Sequence, residues 1–214
     1  MTNVTLPPKL TVIGGNTFLN CDVLGSVDIP ATVTAIQLSA FQSNTALTSV
    51  TIPAKVNSIG ESAFQNCTKL ATVNFTAGSQ LTAIGKNGFY DCPITSLALP
   101  DGLVFIGENS FYHNRLTGSL SIPAKVTAIG TKAFEGDADA TPNLATLNIQ
   151  STGPLSIGAM AFSNQPLTSI TIPASVTIND NAATMGINGT DFKNAYTING
   201  AGPYQFASSV WSKE

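Results

Sequence analysis

Residues 47–73 read Leu47-Thr48-Ser49-Val50-Thr51-Ile52-Pro53-Ala54-Lys55-Val56-Asn57-Ser58-Ile59-Gly60-Glu61-Ser62-Ala63-Phe64-Gln65-Asn66-Cys67-Thr68-Lys69-Leu70-Ala71-Thr72-Val73. The frame inside this stretch is Ile-Pro, Val, Ile-Gly, Ala-Phe, Cys or Asn, Leu, Val, and it returns along most of the chain. Its phenylalanines are Phe18, Phe41, Phe64, Phe89, Phe111, Phe134 and Phe162, separated by 23, 23, 25, 22, 23 and 28 residues. A fixed period of this length is the signature of a stacked repeat architecture. The 214 residues therefore form one elongated body whose coils contact their neighbours, and not two ordinary globular units.

Each part of the frame has a local reading. In Leu47 to Pro53 the apolar Val50 and Ile52 alternate with the hydroxyl residues Ser49 and Thr51, the period of a half-buried strand. Pro53 lacks an amide proton and closes that strand, as do Pro30, Pro100, Pro123 and Pro173 at the same position. A second short extended piece, residues 56–59, ends at Gly60, where we expect a positive φ that glycine accepts without strain. Glycine recurs there at 14, 85, 107, 130 and 158, with Gln37 and Asn179 as substitutes. The small residue before Phe64 suits a single helical or 3₁₀ turn that drops the ring into the coil interior. One coil buries too little apolar surface to offset the ordering of its own backbone, so stability must come from stacking.

Read together, these anchors resemble the BspA-like, or Treponema-type, class of leucine-rich repeats over residues 4 to about 178. The resemblance implies a right-handed, β-rich leucine-rich-repeat solenoid of about seven to eight coils with a C-terminal β cap. It also implies a bacterial or protist protein that is secreted or held at the cell surface and binds host proteins, matrix or other cells. We divide the chain into a solenoid over residues 1–186 and an aromatic-rich capping segment over 187–214. In the eighth coil Ile172, Pro173, Val176 and Ile178 keep the frame, but Thr184 replaces the phenylalanine. The final segment holds Phe192, Tyr196, Tyr204, Phe206 and Trp211, with turn chemistry at Asn199-Gly200-Ala201-Gly202 between two strand-like pieces. Val4, Leu6 and Pro7 align with Val50, Ile52 and Pro53, so the chain opens on the last strand of a coil. We expect that uncapped coil to offer a surface for self-association, and a longer protein upstream of Met1.

Composition excludes several functions. Only 10% of residues are charged and the formal net charge is −3, with the nine Lys and Arg scattered from Lys9 to Lys213. That distribution gives no basic patch for nucleic acid. Polar residues interrupt every coil before a membrane-spanning run can build. The lone histidine, His113, has no serine or cysteine at an equivalent position to form a nucleophile pair, and one imidazole makes no multi-histidine metal site. Cys21, Cys67 and Cys92 each lie three residues after a plug phenylalanine, where Asn44 and Asn114 stand in other coils. We read them as a buried row, with a Cys67–Cys92 disulfide disfavoured by the parallel side-chain directions. Asn in that row can bond the turning backbone of its own or the next coil. The insertion at 135–143 carries Glu135, Asp137 and Asp139, whose alternating acids either form a solvated loop or converge on calcium. We expect no cofactor, no metal and no enzyme.

The outward strand positions are Ser26/Asp28, Ser49/Thr51, Thr72/Asn74, Ser96/Ala98, Ser119/Ser121, Thr146/Asn148 and Ser169/Thr171. This ladder of small polar groups lacks the aromatic and arginine anchors of recognition surfaces. Tyr90, Tyr112, Arg115, Asp137 and Asp139, near the turning segments, are the candidate contact residues. The leading function is a non-enzymatic adhesion module for protein or glycan ligands, with a structural spacer in a longer surface protein as the alternative. Ice or mineral binding by the hydroxyl ladder is a remote third.

Overall fold

The computed structural model describes residues 2–137, 143–173, 202–207 and 210–213. Two series of parallel strands run through it, as the two extended pieces of each repeat require. The longer series comprises β1 (Asn3–Thr5), β3 (Ser26–Asp28), β5 (Ser49–Ile52), β7 (Thr72–Phe75), β10 (Thr117–Ile122), β12 (Asn143–Ile149) and β14 (Ser169–Ile172). The shorter comprises β2 (Val12–Ile13), β4 (Ala35–Ile36), β6 (Ser58–Ile59), β8 (Ala83–Ile84), β9 (Phe105–Ile106), β11 (Ala128–Ile129) and β13 (Ser156–Ile157). The short strands form one continuous seven-stranded sheet in the order β13-β11-β9-β8-β6-β4-β2. The longer strands form three separate ladders, β1·β3, β5·β7 and β10·β12·β14, the last extended by β15 (Gly202–Ala207) and β16 (Val210–Lys213). Register advances one coil at a time: Val50 faces Val73, and Leu147 faces Ile170. Seven turns of about 23 residues make a parallel β-solenoid, with no α-helix among the described residues.

Alternation decides burial. In β5 Val50 and Ile52 are buried while Ser49 and Thr51 face solvent. The expected strand at 96–99 does not pair into a ladder, although Leu99 is buried and Ser96 and Ala98 are exposed as the alternation requires. This gap separates β7 from β10. β14 then pairs with β15 in the antiparallel sense, and β15 with β16 likewise, so the parallel series gives way to a reversed pair of strands. Residues 174–201, which include Val176, Ile178, Asn179, Thr184 and the expected turn at 199–201, lie outside the described residues; Gly202 opens β15.

The phenylalanines stack as one column through the interior. Successive ring centroids from Phe18 to Phe162 are 5.0–5.3 Å apart, with interplanar angles of 1–12°. That pitch follows the strand spacing of a parallel sheet, about 4.8 Å, because each ring is carried by its own coil.

The segment around each ring is not the helical turn that a small residue before phenylalanine suggests. In the third coil the amides of Ser62, Phe64 and Asn66 donate to the carbonyls of Lys86, Gly88 and Tyr90 in the following coil. The intervening amides of Ala63, Gln65 and Cys67 donate back to Gly60, Ser62 and Phe64. A helix would bond each amide within its own segment; here alternate amides point along the stack. The geometry requires left-handed backbone at Ser62 (φ 55°) and Asn66 (φ 59°), and the same positions repeat as Asn87 and Asp91, then Asn109 and His113. Asn and Asp visit that region at small cost because their short side chains bond locally.

The glycine row has a different cause from the one expected. Gly60 does not adopt a positive φ; a Cβ there would sit 2.7 Å from the Gln37 carbonyl carbon of the preceding coil. At Gly107 the same atom would meet the Gly85 carbonyl carbon at 2.6 Å. Close approach of backbone to backbone, not turn conformation, selects glycine. Gln37 departs from the row near the start of the stack, and its Oε1 accepts from the Gly15 amide at 3.2 Å.

Candidate functional site

In five coils the residue three after the phenylalanine reaches back to the preceding coil. Asn44 Nδ2 donates to the Phe18 carbonyl (2.7 Å), Cys67 Sγ to Phe41 (3.2 Å), Cys92 Sγ to Phe64 (3.1 Å) and Asn114 Nδ2 to Phe89 (2.9 Å). Gln165 Nε2 does the same to Phe134 at 2.9 Å. The row is therefore a structural tie, with its short bonds directed to the preceding coil and not the next one, and with longer contacts from Asn44, Cys92 and Asn114 to the Gln42, Tyr90 and Tyr112 carbonyls of their own coils. Cys67 and Cys92 are buried free thiols, and burial followed by the contact with Cys67 pushes the Cys92 pKa well up. Threonines outside this row tie coils similarly: Thr34 and Thr82 donate to the Thr11 and Asn57 carbonyls.

Aromatic and polar side chains collect on the turning edge one and two residues after the ring. Gln42 and Gln65 hold the first of these positions early in the stack and bond each other at 3.4 Å. Tyr90 and Tyr112 hold it in the next two coils and stack at 4.9 Å and 18°. The following position carries Asp91 and His113; the imidazole lies 3.9 Å from the Tyr112 ring at 22° and 6.2 Å from Tyr90. Burial, then Tyr112 and Asp91, raise the Tyr90 pKa above the ordinary phenol value. Lys132 sits 5.4 Å from the Tyr112 ring centre, within cation–π range. Its ammonium also pairs with Glu135 at 3.2 Å, and that contact raises the Lys132 pKa above the usual lysine value. Asn164 Nδ2 lies 3.4 Å from the other Glu135 oxygen. Glu135 is thus buried in a local polar cluster and does not point into a loop with Asp137.

Beside the aromatic cluster opens a cleft of about 170 Å³ lined by Thr68, Asp91, Pro93, His113, Arg115 and Asp137. Its position follows from chain length. In the third coil the turn closes from the Leu70 amide to the Cys67 carbonyl, whereas in the fourth Pro93 shortens it and the Ile94 amide reaches the Cys92 carbonyl. One residue fewer leaves a recess at that corner.

Of the five contact residues read from the sequence, the structure brings together Tyr90 with Tyr112 and Arg115 with Asp137. Asp139 lies outside the described residues, as do 138–142 of the insertion. The sequence reading missed Asp91, His113 and Lys132. The signal was available in the repeat alignment, since Asp91 and His113 share one column. Among the described residues no group of three or more His, Cys, Asp or Glu side chains is placed to hold a metal ion, and no helix is long and apolar enough to cross a membrane.

The repeat frame, the phenylalanine column and the parallel coils meet a family model for the BspA type leucine rich repeat region, matched in overlapping spans over residues 1–117, 44–152, 75–189 and 104–212. The chain belongs to the BspA-type leucine-rich repeat family. Among solved structures this BspA-type chain is similar to the leucine rich repeat protein of T. pallidum, with 27% identity and a TM-score of 0.66 over 75% of each chain. A leucine rich cell surface protein from Faecalibacterium prausnitzii A2-165 matches at 24% identity and a TM-score of 0.46 over 81% of this chain. The match spans 54% of that protein's length. The pneumococcal vaccine antigen PcpA matches at 17% identity and a TM-score of 0.46, covering 87% of this chain and 68% of its own. No curated protein matches.

Proposed function

We propose that this BspA-type solenoid is a non-enzymatic attachment module of a secreted or cell-surface protein, and that it engages extracellular ligands through the turning edge of its fourth to sixth coils. The family supports the location, since the resemblance implies surface proteins that bind proteins, matrix or cells. The observation that carries the reading is the cluster of Tyr90, Tyr112, His113 and Lys132 beside Arg115. Tyrosine and arginine dominate the energetics of recognition surfaces because they offer large, stiff contact area and directed donors. The outward ladder positions offer no such anchors, with Ser26, Ser49, Thr51, Thr72, Ser119 and Ser121 all exposed and small. Binding of the folded chain to immobilised matrix proteins and to cells tests this, alongside a variant carrying Tyr90→Ala, Tyr112→Ala and Arg115→Ala. Saturable binding weakened by the triple change is the expected result. Absence of any binding at tens of micromolar supports a spacer role.

A further inference from the structure

We propose that the cleft spanning the third to sixth coils takes one unit of a neutral saccharide. This inference rests on the reading of the turning edge as the ligand-binding edge, and names the ligand chemistry there.

Five of the six residues lining the cleft carry polar side chains, and they alternate in role. Asp91 presents carboxylate acceptors and Asp137 adds a second acid to the wall; Arg115 presents a planar fork of donors, and Thr68 and His113 each supply groups of both kinds. Asp91 and Arg115 line the same recess, yet among the described residues neither makes a side-chain hydrogen bond or an ion pair. Their hydrogen-bonding capacity is therefore directed to whatever enters. The charges oppose one another: an anionic ligand would meet Asp91 and Asp137, and a cationic one would meet Arg115. A neutral molecule dense in hydroxyl groups satisfies both, because each hydroxyl donates and accepts.

Size and rigidity agree with this. The volume of about 170 Å³ suits a single sugar ring and is small for a peptide segment. The imidazole of His113 is held against the Tyr112 ring, and Pro93 adds a stiff apolar wall, so part of the recess is ordered before binding. The outer edges of Tyr90 and Tyr112 continue the surface away from the recess, where further units of an oligosaccharide would run.

The test is a ¹H–¹⁵N NMR titration of the whole chain with the methyl glycosides of glucose, galactose, mannose and N-acetylglucosamine, and with sulfated and sialylated sugars in parallel. We expect saturable shifts at Asp91, His113 and Arg115 with at least one neutral sugar, with a dissociation constant on the order of a millimolar for a single ring. Arg115→Ala and Asp91→Asn should each weaken binding roughly tenfold or more. Both variants should fold, since Arg115 is exposed and asparagine already occupies the Asp91 column as Asn66 and Asn164, also with positive φ. A second arm follows binding to a glycoprotein before and after enzymatic removal of its glycans; loss on removal identifies a glycoprotein source, and binding of free oligosaccharide alone identifies a polysaccharide source. Response only to sulfated or sialylated sugars, or neutral-sugar binding indifferent to both variants, would overturn the proposal. Protein binding that survives glycan removal, with no response to any sugar, sinks it while leaving the attachment reading intact. No ligand of either kind sinks both.

Discussion

The first coil and the middle coils carry the same repeat frame but not the same environment. Phe18 is half-buried, whereas Phe64 and Phe89 are fully buried. Cys21 is half-exposed, whereas Cys67 and Cys92 are sealed. A Cβ on Gly14 would find its nearest neighbour, Thr17 Oγ1, at 3.4 Å, while one on Gly107 would collide with backbone at 2.6 Å. The difference teaches that a repeat motif specifies a role only when a coil lies on both sides. Identical residues do different work at the end of the stack.

The largest contrast should come from the phenylalanine column. Phe64→Ala opens a cavity between two stacked rings and should lower stability by about 3–5 kcal/mol in chemical denaturation. Phe18→Ala, with a ring on one side only, should cost about 1–2 kcal/mol. Equal losses would break the comparison. The glycine row gives the next test: Gly107→Ala should destabilise by about 1–3 kcal/mol through backbone collision, and Gly14→Ala by no more than about 0.5 kcal/mol.

Thiol chemistry sharpens the contrast without changing the fold. Cys21 should react first with an aromatic disulfide reagent, and Cys92 only on unfolding, because burial disfavours its thiolate. Mass spectrometry of the modified peptides reads the order, and early modification of Cys92 would contradict the buried tie to Phe64.

The smallest effect concerns the position after the ring, an exposed Leu19 in the first coil and the stacked Tyr90 in the fourth. Folding raises the Tyr90 pKa, so the folded state holds that proton more tightly than the unfolded chain. The resulting stability is fully present below the ordinary phenol value of about 10 and is lost as pH rises through the higher folded value. Ultraviolet titration of the phenolates should lose a component above the ordinary phenol range in Tyr90→Phe, and the stability of that variant should fall less steeply above pH 10 or so.

Much of this was legible in the residues. The recurrence of phenylalanine gave the column, the alternation in Ser49 to Ile52 gave the strand faces, and proline marked the strand ends. What escaped were effects between coils. Glycine at 60 and 107 is set by the distance to a backbone some 23 residues earlier, which no local conformational rule reports. The same limit hid the ties of Asn44 and Asn114 to the preceding coil and misassigned the ring segment as helical. The cleft depends on one missing residue after Cys92, visible as a shorter spacing but without meaning until the neighbouring coil stands beside it. Tyr90 and Tyr112 were readable as candidates because they share a column; Lys132 was not, because it reaches the cluster from a different one.

The phenylalanine column keeps the same spacing in every coil, and that constancy has an evolutionary consequence. Because the interior is spaced independently of the edge, the two residues after each ring can change while the pitch of about 5 Å stays the same. The edge then works as a row of writable positions. A glutamine pair at Gln42 and Gln65 becomes a tyrosine pair at Tyr90 and Tyr112 one coil later, over the same unbroken column. A lineage with this architecture can revise the chemistry of its edge one coil at a time, without rebuilding what holds it together.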